Sequence, residues 1–438
     1  MSGRATRDWL AARGTPLQGD IVVPGDKSVS HRAVMLAALA DGSSRIEGFL
    51  EGEDTRATAA VFAQLGVRCE TPADGARIVH GVGIDGLRAP AGALDCGNAG
   101  TAMRLLAGLL CAQPFDSVLV GDASLSRRPM RRVIDPLSRM GARIEAEDGL
   151  PPLRIHGGQR LQGIDTTLPV ASAQVKSALL LAGLQATGDT CVREPHPTRD
   201  YTESMLRAFG VDIDFAPGVA QLRGGQRLRA TDIQVPTDFS SAAFFLVAAS
   251  LVPGSLLRIR RVGMNPRRTG LLQALRAMGA DIREEPSTSI ADGEPISDLV
   301  VRHAPLRGIA LPPEWVPDMI DEFPVLFVAA ACASGDTLVR GAAELRVKES
   351  DRIATMARGL RTLGIEIDET PDGARIRGGK PCGGTVESHG DHRVAMAFAV
   401  AAQIADGEVR IGDIANVATS FPGFDMLARQ VGFGLRDA

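Results

Sequence analysis

The chain has 438 residues, 45% of them hydrophobic and 23% charged, with a formal net charge of -4. That length supports a sizeable core and is too long for one compact domain, so two domains are expected. So small a net charge carries neither a nucleic-acid nor a membrane-surface footprint, and any anion binding has to come from local clusters of cations.

The opening MSGRATRDWLAARG carries arginines but lacks the apolar core of a secretory signal. No apolar run approaches the roughly 18 residues of a membrane span, and together these features predict a cytoplasmic protein. Cys69, Cys96, Cys111, Cys191, Cys332 and Cys382 form no CxxC pair, which argues against a zinc site or a disulfide framework and predicts reduced, mostly buried thiols.

Taken in chain order, the predicted elements repeat. HRAVMLAALADGSSRIEG is followed by QLGVRCE at Gly66, AGTAMRLLAGLL by RMGARIE at Gly141, and AQVKSALLLAGLQATGDTCVRE by AFGVDID at Gly210. SAAFFLVAASLVPGSLLRIR then precedes AMGADIR at Gly279, EFPVLFVAAACASGDTLVRG precedes TLGIEID at Gly364, and HRVAMAFAVAAQIADGEVRI precedes QVGFGL at Gly432. The glycines are 68 to 85 residues apart. In each copy the first phrase is apolar nearly all round, as in a buried helix, and the second is a helix end, a glycine suited to a left-handed C′ position, and a half-exposed strand. Six copies predict an α/β protein built by repetition, three repeats to a domain.

Polar residues gather where the buried helices begin. In order they are PGDKSVSHR with Lys27, Ser28 and Arg32, CGNAGT with Gly100, ASAQVK with Ser172 and Gln174, TDFSS with Ser240 and Ser241, PDMIDE with Asp321, and GDHR with His392 and Arg393. Helix N-termini offer unpaired N–H groups and partial positive charge, and so bind anions. Serines there are ordinary caps, which is the reading favoured for Ser240 and Ser241. Lys27, Arg32 and Arg393 instead oppose the helix dipole, a conflict that a bound anion would relieve. ASLSRRPMRR and ELRVKESDR add Arg127, Arg128, Arg131, Arg132, Arg346, Lys348, Glu349 and Arg352, each open to a reading as solvated surface. PGDKS lacks the spacing of a P-loop, and the seven histidines form no close metal-binding pair.

PGDKSVSHR, GNAGTAMR, SLSRRPM, ASAQVKSALL, RVKESDR, DHRVAMAF and TSFPGF together resemble the signature segments of the EPSP synthase family of enolpyruvyl transferases, in the family's order. The resemblance implies an inside-out α/β barrel of two domains built from six βαβαββ-like repeats. Residues 1–22 plus 237–438 would form the first domain and 23–236 the second, with the active site in the cleft between them and crossings near Val23 and Pro236. It implies transfer of the enolpyruvyl group of phosphoenolpyruvate to the 5-hydroxyl of shikimate 3-phosphate, with no cofactor or metal and no nucleic-acid or membrane partner, in a monomer that is open when free.

By motif position, Asp321 would accept the hydroxyl proton, Glu349 and Lys27 both remain candidates for handling the methylene proton, and His392 would orient a neighbour or relay a proton. Lys27, Ser28, Arg32, Ser172, Ala173, Gln174, Arg199, Asp321 and Lys348 would hold shikimate 3-phosphate. Lys27, Gly100, Arg128, Gln174, Arg352 and Arg393 would hold phosphoenolpyruvate. Thr419 stands where some members carry a lysine, and Gly100 where tolerant members carry alanine, which implies inhibition by glyphosate. The related transferase acting on UDP-N-acetylglucosamine is the nearer alternative, although no cysteine occupies GDASLSRRP. A non-catalytic anion-binding protein of the same fold is the other.

Overall fold

The computed structural model describes residues 7–286 and 294–438, so the first six residues of the opening segment lie outside the described residues. The chain divides into two compact units: Gly25–Pro236 forms a central unit, and the chain up to Pro24 joins nearly all of the stretch from Thr237 to Ala438 in a terminal unit. Each has its own apolar core.

The six apolar segments are helices: Lys27–Leu39, Gly100–Leu110 and Ala173–Gly183 in the central unit, and Phe239–Leu251, Phe323–Cys332 and His392–Ala402 in the terminal unit. Every residue of Phe239–Leu251 is buried, as an all-round apolar pattern requires. None of the helices among the described residues is long and apolar enough to cross a membrane. The glycines that follow the outer helices adopt left-handed backbone, from φ +80° at Gly364 to +118° at Gly432, where a side chain would be strained.

The strands form several small mixed sheets. In the central unit, Asp165–Thr167 runs parallel to Asp189–Arg193, which pairs antiparallel with Val219–Arg223, itself antiparallel to Ile213–Ala216. Leu94–Asp95, Ser117–Val120, Leu153–His156 and Arg143–Glu145 follow the same order. In the terminal unit the pattern recurs in Gln18–Ile21, Leu256–Gly263, Ile296–Arg302 and Asp281–Pro286. Another sheet joins both ends of the chain, with Trp9–Ala12 lying between Asp406–Gly412 and Gly434–Asp437.

A small residue lets two of the buried helices come into close contact. A Cβ on Gly108 would lie 2.0 Å from the carbonyl oxygen of Ala178, so only glycine lets the Gly100–Leu110 and Ala173–Gly183 helices touch there. The few aromatic residues are concentrated in the terminal core, where Phe424 packs 5.5 Å from Trp9, 5.8 Å from Phe245 and 5.3 Å from Phe421 between ring centroids. All six cysteines are free thiols, but only Cys96, Cys111 and Cys191 are buried, and Cys382 is exposed. The expectation of mostly buried cysteines therefore holds for half of them.

Candidate functional site

In the central unit, Asp26 caps the Lys27–Leu39 helix by accepting from the Val29 N–H at 2.8 Å, which fixes Lys27 and Ser28 in its first turn. The Lys27 ammonium pairs with the Asp54 carboxylate, so the cation that opposes the helix dipole is partly neutralised from the next helix. One turn on, Arg32 is buried and donates to Thr202 Oγ1 at 2.7 Å, Ser177 Oγ at 2.9 Å and the Ser28 carbonyl at 3.0 Å. Burial, then the neighbouring Arg199, pulls its pKa down to about 10.

Gly100 is the first residue of its helix, and a Cβ there would lie 3.0 Å from Arg128 Nη1 and 3.1 Å from Arg104 Nη1. Arg128 donates to Asn98 Oδ1 at 2.7 Å and is buried, whereas Arg127 and Arg131 of the same run are exposed. Arg104 donates to Gln174 Oε1 at 2.7 Å, and Gln174 Nε2 donates to Thr101 Oγ1 at 2.8 Å, fixing which way the amide faces. Ser172 caps the Ala173–Gly183 helix, and its own N–H donates to Glu194 Oε1 at 3.0 Å. Glu194 also accepts from Thr198 Oγ1 at 2.7 Å and pairs with the buried Lys176 at 2.9 Å, which ties the Ser172 turn to the segment carrying Arg199. Burial alone would lower the Lys176 pKa, but Glu203 and Glu194 outweigh it and hold the ammonium above its ordinary value.

The terminal unit gathers cations and carboxylates. Asp321 lies just before the Phe323–Cys332 helix, with Oδ2 accepting from Arg268 Nη1 at 3.0 Å and Oδ1 3.6 Å from Arg352 Nη1. Arg352, only 1% exposed, donates to Asp391 Oδ2 at 2.8 Å and to Glu349 Oε2 at 2.7 Å. Burial would lower its pKa, yet Asp391 and Glu349 hold it above the ordinary arginine value. Arg352 Nη1 has no hydrogen-bond partner among the described residues and remains a donor for an anion. Lys348 next door has its pKa lowered, first by burial and only partly offset by Asp321 and Glu344.

Asp391 does two jobs at once, capping the His392–Ala402 helix through the Arg393 N–H at 2.9 Å while it accepts from Arg352. That places His392 and Arg393 in the first turn, both buried, with Arg393 Nη1 3.7 Å from Glu322 Oε1. Thr419 donates to the Asn416 carbonyl at 2.7 Å.

Asp321, Glu349, Lys348, Arg352 and Arg393 thus fall within one charged network. Ser240 departs from its expected role: Asp238 is the cap of its helix, and the Ser240 hydroxyl donates to Glu322 and accepts from Arg268. The motif positions also assign no role to Asp54, Arg104, Arg268, Glu322 or Asp391. A buried arginine's place in the network depends on partners distant in sequence, although Arg104, Glu322 and Asp391 sit inside the segments at the helix starts and an arginine in a helix otherwise apolar was a usable signal.

The family model for EPSP synthase (3-phosphoshikimate 1-carboxyvinyltransferase) matches residues 11–426. A 3-phosphoshikimate 1-carboxyvinyltransferase of Xanthomonas oryzae pv. oryzae strain PXO99A is 71% identical over 434 residues, covering 99% of this chain and 98% of that protein. One from Xanthomonas campestris pv. campestris strain B100 is 72% identical over 432 residues, 98% of each. Among solved structures, EPSP synthase of Acinetobacter baumannii superposes with a TM-score of 0.88 at 51% identity, covering 99% of this chain and 100% of that one. The enolpyruvyl transferase NikO of Streptomyces tendae shares the fold, with a TM-score of 0.79 at 20% identity over 99% of both chains. With its family segments present along nearly the whole length and its helix starts carrying the cations and carboxylates described above, this chain belongs to the EPSP synthase (3-phosphoshikimate 1-carboxyvinyltransferase) family.

Proposed function

We propose that the chain transfers the enolpyruvyl group of phosphoenolpyruvate to the 5-hydroxyl of shikimate 3-phosphate, giving 5-enolpyruvylshikimate 3-phosphate and phosphate, a step of aromatic amino-acid biosynthesis. The observation that carries the chemistry is Asp321, a carboxylate held between Arg268 and Arg352 with Glu349 on the same guanidinium. Addition of an alcohol to an enol phosphate needs one group to take the hydroxyl proton and another to supply a proton to the methylene carbon. Asp321 takes the first role, and Glu349 or Lys27 supplies and then removes the second proton. His392 orients its neighbours at the start of its helix. Atoms balance without a cofactor: the proton lent to the methylene is taken back as the C2–O bond to phosphate breaks, and the hydroxyl proton taken by Asp321 leaves with the phosphate.

The cations account for binding. Two unit negative charges about 5 Å apart repel by roughly 3 kcal/mol at an effective dielectric near 20, so two phosphorylated substrates need dense positive charge to lie together. Lys27, Arg128, Arg352 and Arg393 hold the phosphate and carboxylate of phosphoenolpyruvate, with Gly100 keeping a methyl out and Gln174 bridging to the second substrate. Ser28, Arg32, Ser172, the Ala173 backbone, Gln174, Arg199 and Lys348 hold shikimate 3-phosphate. Arginine suits both groups because its fork binds them bidentately. The recurring strand order supports a reading of the fold as six βαβαββ-like copies in an inside-out barrel, three per domain, with domain limits at 1–22 plus 237–438 and 23–236. The protein is a cytoplasmic monomer in this reading.

The test is phosphate release from phosphoenolpyruvate with shikimate 3-phosphate present or absent, beside Asp321→Ala. Release that needs both substrates and falls by several orders of magnitude in the variant supports the reaction and the base together. No release with shikimate 3-phosphate sinks the reading.

A further inference from the structure

Arg268 appears in none of the sequence motifs, yet it touches three carboxylates. It precedes the Gly270–Ala277 helix and is 4% exposed, held in place where its N–H donates to the Asn265 carbonyl at 2.8 Å. From there Nη1 reaches Asp321 Oδ2 at 3.0 Å and lies 3.7 Å from Glu322 Oε1, while Nη2 donates to the Ser240 hydroxyl and lies 3.4 Å from Asp238 Oδ1. Ser240 donates its own hydrogen to Glu322 Oε1. One planar guanidinium therefore locks the starts of two buried helices, Phe239–Leu251 and Phe323–Cys332, to each other.

We propose that Arg268, braced by Ser240 and Glu322, is the positioning residue that keeps Asp321 ionised and aimed for proton acceptance. This rests on the reading above that Asp321 takes the hydroxyl proton. A carboxylate that accepts a proton has to be charged beforehand and held in one rotamer, and a guanidinium donating to Oδ2 does both while Oδ1 faces Arg352. The helix start supplies the backbone position of Asp321 but cannot fix its side chain. Glu322 sets the strength of the device: its side chain is buried, its Oε2 has no hydrogen-bond partner among the described residues, and its charge competes for Arg268 and Arg393. Arg352 and Lys348 also act on Asp321, with Glu349 and Asp391 behind Arg352.

The device has a signature that a purely structural role lacks, because Arg268 and Glu322 push the Asp321 pKa in opposite directions. In kcat measured against pH on the full chain with both substrates saturating, Arg268→Gln moves the acid limb up by about one pH unit or more. Glu322→Gln, which keeps the shape and the bond from Ser240, moves it down. Arg268→Lys keeps the limb near its parent position, because the charge remains, but lowers kcat about tenfold, because the fork is lost. Should Arg268→Gln fail to fold, the last two variants still decide the matter. Limbs unmoved in Arg268→Gln and Glu322→Gln, or moved in the same direction, overturn the proposal, as does an Arg268→Lys enzyme with unchanged kcat. Asp321→Asn separates the two ideas: if it retains kcat within tenfold, the base reading has failed, whereas if it abolishes turnover while the Arg268 variants behave as the parent, only the positioning role has failed.

Discussion

Arg32 in the central unit and Arg352 in the terminal unit are both buried, at 4% and 1% exposure, and they are held in opposite ways. Arg32 donates to two hydroxyls and a carbonyl, and burial with Arg199 nearby lowers its pKa to about 10. Arg352 donates to Asp391 and Glu349, and those carboxylates raise its pKa despite burial. A buried guanidinium that donates only to neutral oxygens, with Glu203 and Asp26 failing to offset burial and Arg199, suits a place where more counter-charge arrives with an anionic ligand. One ringed by carboxylates suits a scaffold in which acids and bases hold fixed positions before substrate comes.

Stability measurements break or sharpen that contrast most directly. Arg352→Met strands Asp391 and Glu349 and should cost about 3–5 kcal/mol in urea unfolding, the range for removing one partner of a buried ion pair. Arg32→Met should cost only about 1 kcal/mol, because Thr202 still donates to Ser177 at 2.7 Å when the guanidinium is gone. Equal losses would mean that Glu203 and Asp26 balance Arg32 as fully as Asp391 and Glu349 balance Arg352. Ligand linkage comes next: shikimate 3-phosphate at a hundred times its Kd should stabilise the parent by about 2.7 kcal/mol, and the same concentration should stabilise Arg32→Met far less.

A smaller effect is expected at Gly100, where an added Cβ would crowd Arg128 Nη1 at 3.0 Å and Arg104 Nη1 at 3.1 Å. Gly100→Ala should raise KM for phosphoenolpyruvate up to about tenfold, or 1.4 kcal/mol, and raise the half-inhibiting concentration of glyphosate as well, while KM for shikimate 3-phosphate hardly moves. Steady-state kinetics with each substrate varied in turn would show an unselective effect if the methyl merely disturbed the helix.

The smallest effect concerns His31, which is fully buried beside Lys27 and Arg32 and bonds Thr58 Oγ1 at 2.8 Å. Burial, then those two cations, holds its pKa well below the ordinary 6.5. Below pH 6.5 the unfolded chain therefore binds a proton that the folded chain refuses, and stability falls with pH by at most about 1.4 kcal/mol per unit until the folded pKa is reached. His31→Asn should lose about 1 kcal/mol less than the parent between pH 7 and pH 5.5 in denaturant titrations, and an unchanged slope would place the acid sensitivity elsewhere.

What the sequence determined by itself was local and periodic. Gly66, Gly141, Gly210, Gly279, Gly364 and Gly432 all take positive φ, because a chain leaving a helix toward a strand needs a left-handed residue and only glycine adopts it freely. The six apolar segments are helices because apolar residues all round a helix leave it nowhere but a core. Which polar residues meet was decided only in three dimensions. Nothing near TDFSS says that Ser240 bonds Glu322, 82 residues away, and nothing in SRRPMRR says that Arg128 is buried while Arg127 and Arg131 face solvent. Arg268 meets Asp321 across 53 residues for the same reason. Dihedral preference and hydrophobic period act between neighbours in the chain, whereas hydrogen bonds and ion pairs act through space, and only packing helix on sheet brings those groups within reach.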